Sequence, residues 1–252
     1  MTKKTLKNSI FYSVLGVLLV FLLWLIMYFI VQNSHLIPSP LKVIKESFLN
    51  FISLEFYSHL FSTILRVVLS IVISFIIGVL LAILSNFLKG FESVIMPIIS
   101  IIRSLPVLAV LLIILVFTKR AIAPIIVCIL SVLPIVYSQT LNYLNSIDSK
   151  QKDMLKLYNV PIKTQIFSIY LKGYLPLFIK EITTLFSFSL KLVVSAEILA
   201  NVYKSIGGDI SNASIYSNVV ELFSLTLIIC LIGIIVEFIG KFICYIMEKR
   251  YR

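Results

Sequence analysis

Four charged residues of this chain lie inside long apolar stretches: Arg103, Lys191, Glu197 and Glu237. A charge at the centre of a lipid bilayer costs about 2.5–3.5 kcal/mol on insertion scales, so such residues pair with one another or line a polar pathway. Two alternatives follow. Arg103 could pair with Glu197, or Lys191 with Glu237; otherwise Arg103 or Lys191 lines a path for an anionic or polar solute. Arg66 lies near the end of its apolar stretch, where its side chain can reach the membrane surface.

Motifs for enzyme chemistry are missing from the sequence. It has no GxxxxGK[ST] phosphate-binding loop, no HExxH zinc motif and no GxSxG nucleophile turn. The three cysteines, Cys128, Cys230 and Cys244, lie in apolar runs without CxxC spacing, which is typical of small core or lipid-facing residues. We therefore expect this chain to have no enzymatic activity, no metal site and no cofactor of its own.

The composition indicates that lipid is the solvent of this chain. Of 252 residues, 60% are hydrophobic and 13% charged, and the mean hydropathy is +1.09. A soluble domain of this size could not cover so much apolar surface. The net charge of +11 would suggest nucleic acid in a soluble protein. Here the basic residues gather between apolar segments, so we expect no nucleic-acid partner.

Six segments reach the length of about 20 apolar residues that a spanning helix needs. They are residues 10–31, 60–84, 93–117, 121–143, 174–199 and 218–246. The sequence therefore predicts an all-α integral membrane protein with six transmembrane helices in one domain, residues 1–252. The first segment follows a basic stretch, as in a signal peptide. It is bulky throughout and lacks a small-x-small cleavage site, so we expect a retained helix.

The distribution of Lys and Arg predicts the orientation. Six crossings place both termini on one side, and that side carries twelve basic residues against five on the other. Cytoplasmic loops of membrane proteins are enriched in Lys and Arg. We therefore expect both termini in the cytoplasm.

The predicted outer segment, residues 32–59, has the signals of a short helix. Ser39 is a suitable N-cap, and Pro40 suits the first helical position. Apolar residues then recur at helical spacing, at Val43, Ile44, Phe48, Phe51 and Ile52. This pattern predicts an amphipathic helix over about 39–57 that lies on the outer membrane surface.

Prolines mark the third and fourth predicted spans, at Pro97, Pro106, Pro124 and Pro134. Interrupted helices at membrane depth are tolerated where they face protein or a water-filled cavity. Two interpretations stay open: these spans form the wall of a translocation path, or the prolines are kinks that aid packing.

A polar stretch from Asp148 to Pro176 separates the fourth and fifth spans. Asp148 and Gln151 fit a capping box, and Asn159 suits the left-handed conformation that ends a helix. Pro161 favours the first turn of a second helix. The loop is either a solvated cytoplasmic segment or a docking element, since exposed apolar side chains are costly unless a partner covers them.

Five motifs occur in order along nearly the full length. They are Ile37-Pro38-Ser39-Pro40, Arg103-Ser104-Leu105-Pro106, the Asp153 loop, Ser195-Ala196-Glu197 and Ile206-Gly207-Gly208. In this order the chain resembles the inner-membrane permeases of type I ABC importers. It is most similar to the nitrate, sulfonate and taurine branch, which also includes importers of the thiamine-precursor pyrimidine. The resemblance implies a bacterial cell (inner) membrane and translocation-path residues among Arg103, Pro106, Lys191 and Glu197.

The resemblance also gives the polar loop, residues 145–173, a role. The family's EAA triplet aligns with Asp153-Met154-Leu155, and its usual glycine with Asn159. Such a loop is the coupling helix that sits in a cleft of an ATPase subunit. The residues implied in ATPase coupling are Asp153, Met154, Leu155, Tyr158, Asn159 and Pro161. Bulky residues replace both alanines, which implies an ATPase groove shaped for them.

The assembly that the resemblance implies has several parts. Cytoplasmic ATPase subunits would bind ATP and Mg²⁺, a second permease copy would complete the path, and an extracytoplasmic binding protein would deliver substrate. Sulfonate, taurine, nitrate or a thiamine-precursor pyrimidine are all compatible with it. The alternative function is a secondary transporter that works without an ATPase, although the sequence shows no internal repeat.

Overall fold

The computed structural model describes residues 3–88, 90–147, 154, 157–161, 164–165 and 172–251. These residues form helices and short connections, and no strand occurs among them. The helices in chain order are α1 (Lys3–Val31), α2 (Pro40–Ile52), α3 (Leu54–Phe87), α4 (Phe91–Ser104), α5 (Val107–Phe117), α6 (Ala123–Ser146), α7 (Lys172–Ala200), α8 (Ile206–Ile215) and α9 (Val219–Tyr251).

Long apolar helices confirm the all-α membrane fold. Four segments are long and apolar enough to cross a bilayer, namely Leu54–Phe87, Ala123–Ser146, Glu181–Ala200 and Val219–Ile243. The helices α4 and α5 are long and apolar enough together, as a bent pair. In α1, the segment Leu15–Val31 is apolar as well. The predicted six crossings are consistent with this set of helices.

The third predicted span, residues 93–117, is not one continuous helix. It bends by 96° between α4 and α5. Pro106 is the cause, because it has no N–H to continue α4 and it disfavours the helical conformation at Leu105. Leu105 has an extended backbone, with φ −71° and ψ 130°. The other three prolines of the third and fourth predicted spans do not interrupt a helix. Pro97 and Pro134 lie inside continuous helices, and Pro124 lies in the first turn of α6.

The chain divides into two compact units. The first is Met1–Tyr57 with Asp209–Ile228, and the second is Ser58–Gly208 with Ile229–Arg252. The prediction of a single permease domain stays a prediction.

In the first unit, α2 begins as predicted, with the Ser39 hydroxyl accepting a hydrogen bond from the Lys42 N–H. It ends at Ile52 instead of continuing to 57, because the chain is extended at Ser53. Polar residues form its contact with α9: the hydroxyls of Ser47 and Ser224 lie 3.0 Å apart. Within the predicted apolar stripe Val43 is buried, whereas Ile44, Phe48, Phe51 and Ile52 are exposed. The position of α2 on the outer membrane surface stays a prediction.

In the second unit, α6 packs against α4, α5 and α7. One core cluster joins α3, α4 and α6, and consists of Ala82, Ile99, Tyr137, Leu141 and Leu144. A second joins α5, α6 and α7, and consists of Leu111, Ala123, Val127 and Ala196. These contacts position Arg103 and Pro106, the two path candidates next to the α4–α5 bend.

Candidate functional site

Arg103 lies in the last turn of α4, directly before the bend. Its Nη2 donates to the backbone oxygen of Pro134 at 2.9 Å and to the hydroxyl of Ser138, both on α6. These acceptors are neutral. The expected alternative of an Arg103–Glu197 pair is therefore wrong for this structure, because α6 lies beside Arg103 and Glu197 has another partner.

A cavity of about 380 Å³ opens beside Arg103, between the α4–α5 bend and α6. Its polar lining comes from Arg103 and from one side of α6. The residues of α6 that contribute polar groups are Ser131, Ser138, Gln139 and Asn142. None of the described lining residues is acidic. The cavity can therefore hold a small polar solute next to the Arg103 cation, which has no acidic partner among the described residues.

A second cavity, of about 310 Å³, lies between α5 and α7 and is bordered by Lys191. It shares Val107 and Phe188 with the first cavity, and its described lining again contains no carboxylate. The two cavities are thus adjacent, and each is bordered by one cation.

The Lys191–Glu237 ion pair, one of the two expected pairs, is not formed. Both residues border a smaller cavity of about 150 Å³ between α7 and α9. Glu237, however, pairs with Lys241 one turn along α9, at 3.1 Å between Oε1 and Nζ. A neighbour at i+4 on the same helix is always within reach, which explains this preference.

Glu197 is a fully buried carboxylate, with 0% exposure. Its Oε1 accepts from Arg66 Nη1 at 2.7 Å. Its Oε2 accepts from the hydroxyl of Thr63 at 2.9 Å and from the Gly207 N–H at 3.2 Å. Both oxygens are therefore satisfied, as a buried charge requires.

Arg66 and Thr63 are the residues that sequence reasoning missed. The interpretation of Arg66 as a side chain that reaches the membrane surface is wrong: only 11% of its side chain is exposed, and its Nε also donates to the Ala121 backbone oxygen at 3.2 Å. The sequence did hold a signal for the Arg66–Glu197 pair, namely the depth of each residue in its predicted span. In the predicted topology Arg66 and Glu197 both lie near the outer ends of their spans, whereas Arg103 lies near the middle of its own.

Glu197 and its partner Thr63 hold the first turn of α8 in place. The Ile206 N–H donates to the Thr63 hydroxyl at 3.1 Å, and the Gly208 N–H donates to the Ser205 hydroxyl at 2.9 Å. The first N–H groups of a helix have no backbone partners within the helix. Here the N–H groups of Ile206, Gly207 and Gly208 all have side-chain acceptors instead. Gly207 and Gly208, the two glycines of the fifth motif, therefore belong to the first turn of a helix.

Close packing explains both glycines. A Cβ added at Gly207 would lie 2.7 Å from the Val194 oxygen and would collide with the Glu197 Cβ. One at Gly208 would collide with the Val202 oxygen. Asn201, which precedes these glycines, has φ +47° and ends α7 in a left-handed turn. In this turn the Val202 N–H donates to the backbone oxygen of Glu197 at 3.1 Å.

The path candidates thus separate into two groups. Arg103 and Lys191 border cavities, whereas Glu197 is enclosed in its own hydrogen bonds and Pro106 forms the bend without lining the cavities described above. The structure brings together Arg103 with α6 and Glu197 with Arg66; it does not bring Arg103 to Glu197.

Part of the predicted coupling loop is described. Met154 is helical and 58% exposed, and its oxygen accepts from the Tyr158 N–H at 3.0 Å. Asn159 has φ +46°, the left-handed conformation predicted for it. After Pro161 the Gln165 N–H donates to the Pro161 oxygen at 3.0 Å. Asp153 and Leu155 lie outside the described residues.

Comparison with known proteins identifies the family. The profile of the binding-protein-dependent transport system inner membrane component family matches residues 74–252, which is more than half of the chain. No curated protein matches the chain. The matched range contains the α4–α5 bend, both cavities, Glu197 and the predicted coupling loop. The chain is therefore a multi-pass membrane protein of the binding-protein-dependent transport system inner membrane component family, that is, a permease of the type I ABC importers.

Proposed function

We propose that this permease forms the translocation path for a small anionic or polar solute, such as a sulfonate, taurine, nitrate or a thiamine-precursor pyrimidine. The observation that carries this proposal is the pair of cavities that share Val107 and Phe188 in their linings. Each is bordered by one cation, Arg103 or Lys191, and their described linings contain no carboxylate.

The partners of Arg103 support the same proposal. Its Nη2 donates to two neutral oxygens of α6, and no carboxylate of the described part of the chain pairs with it. An anion is a stronger acceptor for a guanidinium than a neutral oxygen is. A passing anion can therefore take over these hydrogen bonds without separating a buried ion pair.

ATP hydrolysis in this proposal takes place in separate cytoplasmic subunits that hold ATP and Mg²⁺. The coupling residues are Asp153, Met154, Leu155, Tyr158, Asn159 and Pro161. Met154, Leu157 and Tyr158 are exposed apolar side chains of the predicted cytoplasmic loop, which supports a partner that covers them. A second permease copy and an extracytoplasmic binding protein complete the assembly, with both termini in the cytoplasm of a bacterial cell.

The test is a full-length tagged chain, purified in mild detergent from membranes of its source organism. We expect copurified ATPase activity from the wild type. The Met154→Asp variant should lose at least tenfold of that activity at equal yield, because a buried, unpaired carboxylate opposes docking. The matched control is Tyr216→Asp, which places the same charge at an exposed aromatic residue on the predicted outer side.

The two candidate functions give different results in this test. The secondary-transporter alternative predicts no copurified ATPase and uptake that follows an ion gradient without one. Full ATPase activity with Met154→Asp would contradict the docking role, and an equal loss with Tyr216→Asp would show that the effect is not specific to the loop.

A further inference from the structure

Two cations of the second unit have no counter-charge among the residues that the structure describes. Arg103 donates to two neutral oxygens of α6, and no described carboxylate forms an ion pair with Lys191. The buried Glu197 is not available to either cation, because Arg66 holds it at 2.7 Å. A charge inside an apolar segment is costly unless an opposite charge or a polar group compensates it. Arg103 and Lys191 therefore favour anionic groups that come from outside the described chain.

Glu237 shares a cavity with Lys191 but does not neutralise it. Both residues border the cavity of about 150 Å³ between α7 and α9. The Glu237 carboxylate is engaged by Lys241 on the same helix, at 3.1 Å between Oε1 and Nζ. Lys191 also borders the cavity of about 310 Å³ between α5 and α7, whose described lining contains no carboxylate. The charge of Lys191 is therefore open to a solute in that cavity.

The cavities beside Arg103 and Lys191 are adjacent, because Val107 and Phe188 line both of them. Phe188 precedes Lys191 by three residues on α7, which is less than one helical turn. Val107 begins α5, directly after the bend that follows Arg103. Each cation therefore lies within a few residues of the shared lining. The volumes of about 380 and 310 Å³ are typical of small-molecule sites, so a solute with two linked anionic groups has room beside both cations.

We propose that the path selects a solute with two separated anionic groups, of which one meets Arg103 and the other meets Lys191. The ligand class is a small bis-oxyanion, such as a sulfonate that also carries a carboxylate. A singly charged solute leaves one of the two cations uncompensated, whereas a doubly charged solute compensates both. This inference rests on the proposed function of the two cavities as an anion path, and it adds the charge of the solute.

The test uses the full chain in lipid nanodiscs and two tritiated probes that share a sulfonate group. One probe, 3-sulfopropanoate, carries a carboxylate that is ionised near neutral pH. The other, 3-sulfopropanamide, carries an uncharged amide of nearly the same shape. Equilibrium binding of each probe gives the two affinities. We expect 3-sulfopropanoate to bind about ten- to a hundredfold more tightly, which is the range of one hydrogen bond to a charged group.

Three variants connect this preference to the two cations. Arg103→Gln and Lys191→Gln each leave one cation, so each should bring the two probes close to equal affinity. The double variant should weaken the amide probe as well, because its sulfonate then has no cation to meet. The matched control is Lys119→Gln, which removes the same charge from an exposed residue outside both linings and should keep the preference.

The outcomes separate the inference from the proposed function. Equal affinities in the wild type, with binding lost in the double variant, overturn the inference and leave the anion path intact; singly charged solutes that bind one at a time predict this result. A preference that survives in either folded single variant, or that disappears in Lys119→Gln, also overturns the inference. Binding that is absent, or unchanged in the double variant, overturns both.

Discussion

Arg66 and Arg103 are both arginines of apolar segments, and their partners give them opposite roles. Arg66 faces a carboxylate at 2.7 Å that has 0% exposure. Among the described residues, Arg103 donates to a backbone oxygen and a hydroxyl on α6 and has no carboxylate partner. A neutralised, enclosed charge holds helices together, whereas a cation with neutral partners beside a cavity is available to a solute. The first is a structural residue and the second is the proposed path residue.

The Arg66–Glu197 pair predicts a non-additive loss of stability. Arg66→Met and Glu197→Gln should each cost about 3–5 kcal/mol, because each leaves a buried group without its partner. The double variant should cost less than the sum of the two losses. Thermal unfolding in mild detergent measures the three values.

Arg103 provides the control for this comparison of single and double variants. Arg103→Met combined with Glu197→Gln should give additive losses, since the two residues share no hydrogen bond. Coupling in that combination, or additivity between Arg66 and Glu197, would contradict the pairing seen here.

The contact between Gly207 and Glu197 predicts a sharp effect of one methyl group. Gly207→Ala should destabilise the protein by about 1–3 kcal/mol, because the new Cβ collides with the Glu197 Cβ and displaces the first turn of α8. Gly16→Ala is the matched change, since nothing lies within 4 Å of its Cβ. We expect a lower unfolding temperature for the first variant and no loss for the second; equal effects would be inconsistent with this packing.

At the scale of elements, the 96° bend between α4 and α5 depends on where a proline stands. Pro97 is accommodated inside α4, whereas Pro106 caps the start of α5. Both lack an N–H, so the difference comes from their surroundings. The short α5 packs against α6 and α7, and this packing holds the direction that Pro106 permits.

Removing Pro106 should therefore loosen the bend. With spin labels at Ser100→Cys and Ile113→Cys, in a background without the native cysteines, pulsed electron resonance measures the distance between α4 and α5. Pro106→Ala should shift the distribution towards the roughly 20 Å of a continuous helix. Pro97→Ala is the control and should leave the distance unchanged; a shift with Pro97→Ala alone would refute the role given to Pro106.

At the scale of the whole molecule, the orientation derived from the basic residues is open to a direct test. Tyr203, 84% exposed, belongs to the predicted outer side, and Met154, 58% exposed, to the predicted cytoplasmic loop. In a cysteine-free background a membrane-impermeant maleimide should label Tyr203→Cys in intact cells. It should label Met154→Cys only after permeabilisation. The reverse pattern would invert the topology.

Local sequence features determined much of this protein. Hydropathy predicted the membrane fold and most span positions, because the length of an apolar run is fixed by the bilayer. Ser39 with Pro40 predicted the start of α2, and Asn159 its left-handed backbone, because caps depend on a few adjacent residues.

Only the tertiary structure decided which charges meet. Arg66 and Glu197 are separated by 131 residues, and their contact exists because α3, α7 and the start of α8 converge. The sequence could count the charges within apolar segments but could not rank their partners, since pairing depends on which helices pack and at what depth. Pro106 marks the position of the 96° bend in the sequence, but the direction of α5 after it depends on packing against α6 and α7, which no local pattern contains.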